Sequence, residues 1–421
     1  MATRVDTLEP MPGPDAEPEG PPGRKLTPRE WMRANLFGSK LDTVLTILFG
    51  LLLAWLAYRI GRFVFVDARW EIIERNITNL MVGAYPRDQI WRLWTALFVL
   101  AAFLGWGAGA MGMQRRQEVR EGRARPMPKG GVRRLVPIIL LVVVLLGFAQ
   151  SLQALVLVVA IAAVGAAFNV IGRRTPERLW RYVPLIVLGG ILIAFIVVTA
   201  FGGVGWSQWG GFLLTVFLAV SAILLSFPIG VLLALGRRSS LPVVRWVCIT
   251  YIEFFRGVPL ITILFLAFFM IGFILPEGVE PPSLVTRAII GFTLFTCAYI
   301  AEIVRGGLQS VPAGQIEAAQ ALGLSPFRTT FRIVLPQALR AVIPGIVGQF
   351  ISLFKDTSLV FILGLSELLA VAQNITKQPD FLAEGLYVET LIFASFVYWA
   401  GSYWMSRESQ RLERRLGVGE R

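Results

Sequence analysis

Apolar residues in this chain run in long unbroken blocks, where a surface helix or a half-buried strand would alternate them with polar ones. The stretch 212–236 contains no Asp, Glu, Lys or Arg. A helix needs about 20 apolar residues to cross the hydrocarbon core of a bilayer, so a block of this kind predicts a spanning helix. The blocks recur and predict about ten spans, near 41–66, 91–113, 135–150, 152–171, 182–202, 212–236, 245–275, 284–305, 337–363 and 386–405. The expected fold class is an all-α integral membrane protein lying in a lipid bilayer. The run 135–172 is too long for one ordinary span, and arginine pairs flank it at Arg133-Arg134 and Arg173-Arg174. Basic residues at both ends predict a tight hairpin near Ala149-Gln150-Ser151; a single tilted helix is the alternative and would invert everything upstream.

Polar residues between the blocks set the orientation. The segments 1–40, 114–134, 173–181, 237–245, 305–340 and 406–421 hold 30 of the chain's 40 Lys and Arg. Positive residues are retained on the cytoplasmic side, which predicts a multi-pass protein with both termini cytoplasmic. The net charge of +13 is then a consequence of membrane orientation, and no nucleic-acid partner is expected. Trp206 and Trp209 fall where an outer aromatic belt would sit. Residues 1–40 are rich in Pro, Glu, Gly and Arg, carry no secretory signal pattern, and read as a disordered cytoplasmic tail. Residues 41–205 read as accessory N-terminal transmembrane helices, and 206–421 as the core that carries nearly every polar group placed within spans.

Composition narrows the chemistry. The chain is 55% hydrophobic and 16% charged, against roughly a quarter charged in soluble domains. It has no histidine and two cysteines, Cys248 and Cys297, both in apolar segments. Serine and cysteine triads and most zinc sites are therefore excluded, and no enzyme activity, metal or other cofactor is expected in this chain. Gly107-Ala108-Gly109-Ala110-Met111-Gly112 fits a dinucleotide fingerprint. It follows an apolar helix and no strand, so close helix packing is the better reading.

One segment is too polar to span and too patterned to be a linker. Just before 312–336, Ser310 is positioned to cap a helix with Pro312 in its first turn. That helix stops at Gly323, a residue suited to a left-handed turn. Ser325-Pro326 starts a second helix, which is expected to end before Pro336. The exposed alanines 318, 319 and 321 would let another protein approach closely.

The spacing Glu317-Ala318-Ala319, Gly323, Phe327, Phe331, Ile333, Leu335, Pro336 resembles the EAA loop of importer-type ABC permeases. YIEFFRGVPLITILF (251–265), AYIAEIVRGGLQSVPAGQIEAA (298–319) and FKDTSL (354–359) resemble the polar amino-acid permeases of that family. The likeness covers about 206–410, and the long extension is similar in layout to the larger of two unequal permeases in general L-amino-acid importers. The resemblance implies a type I permease core in the C-terminal half, in a bacterial inner membrane. It implies an ATPase dimer, carrying the ATP and Mg, docked on Glu317, Ala318, Ala319, Gly323, Phe327 and Pro336. It further implies a second permease subunit and a periplasmic amino-acid-binding protein. The chain has no Walker A sequence.

Ionisable residues inside a bilayer cost a few kcal/mol and face a cavity or a partner. Glu253 and Arg256 share one helix face, with Gly257 and Pro259 positioned to break the helix beyond them. They read equally as path residues in a broken helix or as a structural ion pair. Lys355-Asp356-Thr357-Ser358 lies toward the outer end of its span and offers a donor for a carboxylate and an acceptor for an ammonium. Lys355 and Asp356 are therefore expected to line the substrate path, while Glu302 and Arg305 are expected to pair structurally. The rival function is a stand-alone ion-coupled secondary transporter, which would carry inverted repeats; none is apparent.

Overall fold

The structure, a computed structural model, describes residues 27–122, 136–200, 202–276, 278–382 and 385–416, and its regular elements are all helical. Residues 1–26 of the expected tail and most of the basic loop 114–134 lie outside the described residues. The chain divides into two units, Met1–Ala68 and Arg69–Arg421.

The first unit holds α1 (Pro28–Asn35) and α2 (Lys40–Arg62). Within the segment expected as a tail, α1 starts with a reciprocal capping box: the Glu30 amide donates to Thr27 Oγ1 and the Thr27 amide to Glu30 Oε2. Ser39 accepts from the Asp42 amide at the start of α2. That helix then runs apolar into a π turn at Phe63–Asp67.

The second unit begins with α3 (Glu71–Val82), α4 (Ile90–Arg120), α5 (Val136–Ala149), α6 (Leu152–Gly172) and α7 (Val183–Thr199). It continues through α8 (Gly211–Arg237), α9 (Pro242–Gly257), α10 (Leu260–Phe269), the short α11 (Ile271–Ile274) and α12 (Leu284–Ser310). It ends with α13 (Ala313–Ala321), α14 (Pro326–Thr329), α15 (Leu335–Asp356), α16 (Leu368–Ile375) and α17 (Tyr387–Leu416). Among the described residues seven helices are long and apolar enough to cross a membrane, or eight if the bent pair α9–α10 forms one span. The two other expected spans are α5, only 14 residues long, and α17, 30 residues long but more polar.

The break expected in the long apolar run is present. Gln150 is the one non-glycine with positive φ among the described residues, at 44°, and Ser151 caps α6 by accepting from the Ala154 amide. The two helices diverge beyond it: α5 packs on α3 and α17, while α6 packs along α4.

Glycines set how closely α4 and α6 approach. A Cβ on Gly109 would lie 2.1 Å from the Asn169 oxygen, and one on Gly172 would lie 2.1 Å from the Trp106 oxygen. The glycine-rich stretch is therefore a small-residue contact between membrane helices.

At the centre, α12 touches α8, α9, α10 and α15. It buries Ala288, Phe292, Cys297, Ile300, Ala301 and Val304 completely. So many fully buried positions place α12 in the middle of the bundle, with its charges confined to Arg287 near one end and to Glu302 and Arg305 near the elbow. The helix break expected from Pro259 is also present: α9 and α10 meet at 106°, with Val258 extended and Pro259 at the N-cap of α10. Trp209, expected in an interfacial belt, is buried instead. It packs 4.7 Å from the Phe217 ring and donates to the Val204 oxygen, while Trp206 stays 37% exposed.

α3 is built into the same core. It buries Ile72, Ile73, Ile77 and Leu80, and its buried Asn76 exchanges reciprocal amide hydrogen bonds with Gln378 at 3.1 and 2.9 Å. Beside it, Glu367 is fully buried and joins three helices. Its carboxylate accepts from the Leu369 and Ala370 amides at the start of α16, from Tyr398 of α17 at 2.8 Å and from Thr215 of α8 at 3.4 Å. Glu367 lies between the spanning segments, and burial pushes its carboxyl above the usual carboxylate range against the pull of these donors. Glu367→Ala would orphan two buried amides and a hydroxyl. It is expected to cost ~2–3 kcal/mol, read as a lower melting temperature of the detergent-solubilised chain; an unchanged melt would refute this role.

Candidate functional site

The elbow 312–336 is formed largely as its sequence predicts, with two corrections. Ser310 does not cap α13: it closes α12, donating to the Gly307 oxygen, and Pro312 occupies the N-cap with no side-chain hydrogen bond. Pro336 does not end the second helix. Ser325 caps α14 by accepting from the Arg328 amide, and the chain stays helical through a π turn at Thr330–Val334 into α15. The Leu335 amide donates to the Thr330 oxygen, five residues back, so the turn is already wide where proline brings no N–H. Pro336 then sits in the first turn of α15, where a missing donor costs little.

Between the two helices Gly323 adopts φ +73°, and the Leu324 amide donates back to the Ala319 oxygen at 3.1 Å. The elbow is fixed to the bundle. Gln337 of α15 donates to Gln315 at 3.3 Å, and Ile316 packs with Leu308, Val334, Leu335 and Ala338. Ala319 is 3% exposed and faces the chain's own body, so it is not part of the elbow's outer surface. Glu317, Ala318, Gly323, Phe327 and Pro336 are exposed. Phe327 is 69% exposed and stacks at 4.5 Å on Phe331, itself exposed. Leu322, absent from the expected site, is 80% exposed at the end of α13. Its signal in sequence was a leucine directly before the helix-ending glycine. Leu322, Phe327 and Phe331 thus form an exposed apolar patch on a turn with a polar rim.

The structure joins the two expected charge pairs into one cluster and adds a member. Glu302 of α12 accepts from Arg305 at 2.9 Å and lies 3.5 Å from both Arg256 of α9 and Arg237 of α8. Arg237 also donates to Glu253 at 2.8 Å, and Arg256 lies 3.9 Å from Glu253. Sequence reasoning had placed Arg237 among the basic residues of a loop, because nothing local shows that α8 ends beside α9 and α12.

Lys355 and Asp356 are not part of this cluster. They close α15, at a rise of about 30 Å from Leu335. Lys355 is exposed and Asp356 half-buried, and neither forms an ion pair among the described residues. The neighbouring hydroxyls turn back on the helix: Thr357 donates to the Phe354 oxygen and Ser358 to the Lys355 oxygen. The structure thus separates the four expected path residues into an ion-paired cluster near the elbow end of the bundle and a group without ion pairs at the far end of α15.

A bundle of spanning helices with an exposed apolar elbow at one end and charge without ion pairs at the other belongs to a multi-pass membrane permease. Comparison with known proteins agrees. The family described as "Binding-protein-dependent transport system inner membrane component" matches residues 226–418. The glutamate/glutamine/aspartate/asparagine transport system permease protein BztC of Rhodobacter capsulatus is 35% identical, over 98% of this chain and 97% of its own length. The inner membrane amino-acid ABC transporter permease protein YhdY of Escherichia coli is 49% identical over half of this chain, an alignment that spans 57% of that relative's length. The probable glutamine ABC transporter permease protein GlnP of Bacillus subtilis is 41% identical over 49% of this chain and 91% of its own length. The chain belongs to the binding-protein-dependent transport system inner membrane components, among the amino-acid ABC permeases, with the long N-terminal extension of the larger ones.

Proposed function

We propose that this chain forms one half of the translocation path of an ATP-driven L-amino-acid importer in a bacterial inner membrane, with both termini in the cytoplasm. The observation that carries this reading is the elbow: an exposed Leu322, Phe327 and Phe331 beside Glu317 and Ala318, on two short helices that follow α12 and lead through the π turn into α15. An ATPase dimer docks there and supplies the hydrolysis, with ATP and Mg bound on its own chains. A soluble binding protein delivers substrate at the opposite face. A sister permease of unequal length completes the path, so the assembly is a heterodimer of permeases. The name of the full-length relative BztC makes glutamate, glutamine, aspartate and asparagine the first substrates to test.

Lys355 and Asp356 line the path in this reading. Their charges lack ion-pair partners, and an unpaired charge within a span is retained where it meets water or a ligand. Glu253 and Arg256 are already ion-paired within the cluster, which favours a structural role for them. Co-purification from detergent tests the assembly: an ATPase and a second permease are expected with the tagged chain, and a lone chain transporting in liposomes would overturn the reading. Lys355→Ala and Asp356→Ala are each expected to lower uptake by about tenfold or more with ATPase binding retained. Normal uptake in both variants would remove them from the path.

A further inference from the structure

The five-charge cluster ties together elements that have different tasks, and its wiring is specific. Glu302 is the hub. Three guanidinium groups, from Arg305 on its own helix, Arg256 on α9 and Arg237 on α8, converge on its one carboxylate within 3.5 Å. Glu253 closes the ring by meeting Arg237 at 2.8 Å and Arg256 at 3.9 Å. Glu302 stands two turns before Ser310, where α12 ends and the chain enters the elbow through Val311 and Pro312. At ~1.5 Å per residue that is about 12 Å of continuous helix. Arg256 stands one residue before Gly257, at the 106° break that aims α10 away from α9. The cluster therefore connects the helix that ends at the elbow to the break between α9 and α10.

The packing around it is suited to transmission. On one side α12 is locked into the bundle by fully buried Ile300, Ala301 and Val304. A Cβ on Gly230 would meet the Ile300 side chain at 2.7 Å, so α8 and α12 have no slack at this level. α9, by contrast, buries only Ile252, and its Val243, Trp246 and Val247 are exposed. Its end nearest the break is held to the bundle by the charges, by buried Ile252 and by Tyr251, which donates to the Leu294 oxygen at 2.8 Å. Charged groups a quarter to a half exposed exchange partners readily, because water offsets the loss. An apolar contact of the same reach would hold α9 in one place.

We propose that Glu302 and Arg237 are positioning residues for transport: they form an ionic interlock that makes the angle of the broken helix α9–α10 follow movement of the elbow. The interlock rests on the reading above, in which the elbow receives work from an ATPase. When α13 moves, α12 carries Glu302 with it, and Arg256 follows or exchanges to Glu253. Loss of the hub carboxylate leaves three arginines sharing Glu253, and the ionic link between Arg256 of α9 and α12 is then gone.

The test uses the assembled importer, with its ATPase and sister permease, in proteoliposomes given the substrate-loaded binding protein. Glu302→Gln and Arg237→Gln are expected to keep the complex assembled and hydrolysing ATP, while substrate moved per ATP falls by about tenfold. Arg237→Lys, which keeps the charge, is expected to recover most of the ratio. If the variants assemble and transport per ATP is unchanged, the interlock is wrong although the importer reading stands. If assembly falls and the ratio in the surviving complex is normal, the cluster is only structural and the proposal is likewise overturned. A wild-type chain that binds no ATPase would sink the importer reading itself, a result distinct from both.

Discussion

Phe327→Asp is expected to abolish uptake while leaving the chain folded. Phe327 is 69% exposed and its main intramolecular contact is the ring of Phe331. Its replacement removes little that the permease itself uses, and surface changes of this kind stay within ~0.5 kcal/mol of stability. A docked partner would feel the full change, because a large aromatic at the centre of an interface contributes ~2 kcal/mol or more and a carboxylate in its place is buried without a counter-charge. ATPase recovered with the tagged chain should fall by about tenfold or more, with the melting temperature of the detergent-solubilised permease unchanged. Leu322→Asp, on the same elbow, is expected to act alike. Wild-type ATPase recovery in both variants would move the docking surface elsewhere.

The second large effect is on folding. Gly83→Val is expected to destabilise the chain by ~3 kcal/mol or more, seen as a lower melting temperature and a reduced folded yield. Gly83 adopts φ +59°, and an added Cβ would lie 2.4 Å from the Cα of Gly210. The left-handed conformation alone costs a non-glycine residue ~1–2 kcal/mol. Here backbone faces backbone, so no rotamer relieves the clash, and overpacking adds ~1–3 kcal/mol. Across the contact Gly211, at φ +55°, is equally confined, its Cβ position being 2.4 Å from the Leu80 oxygen. Gly323→Ala provides the contrast. It shares a positive φ of +73° but has open space around its Cβ position, so only the backbone cost of ~1–2 kcal/mol applies. Equal effects at the two sites would mean that the approach of α3 to α8 is not as tight as described.

That contact shows where reading along the chain reaches its limit. The residues 71–85 contain a helix with one apolar face, which is visible in their spacing, and the stretch falls within a segment that reads as accessory. Whether it packs on the core depends on Gln378, Ser366 and Gly210, which lie far away in sequence. The Asn76–Gln378 amide pair has no local signature. Arg237 is a similar case. Along the chain it is one of several basic residues at a helix end, and it becomes a bridge only because α8 finishes between α9 and α12.

By contrast, features set by one segment's own chemistry were legible. Unbroken apolar runs fix where helices must satisfy their own backbone groups in a bilayer, so spans could be placed without knowing their neighbours. Pro259 breaks its helix and Gly323 turns the elbow for reasons contained in those residues. Pro336 did not break a helix, because the π turn that absorbs it depends on how α14 continues into α15. Ala319 reads as surface from its motif, yet it is buried because α13 lies against α12 and α15. The sequence alone determined the membrane class, the spanning helices and the elbow, since each follows from short-range sterics and from what the bilayer excludes. Only the tertiary structure decided which charges meet, which face of the elbow is free and which extension helix belongs to the core, because those depend on contacts between residues tens to hundreds of positions apart.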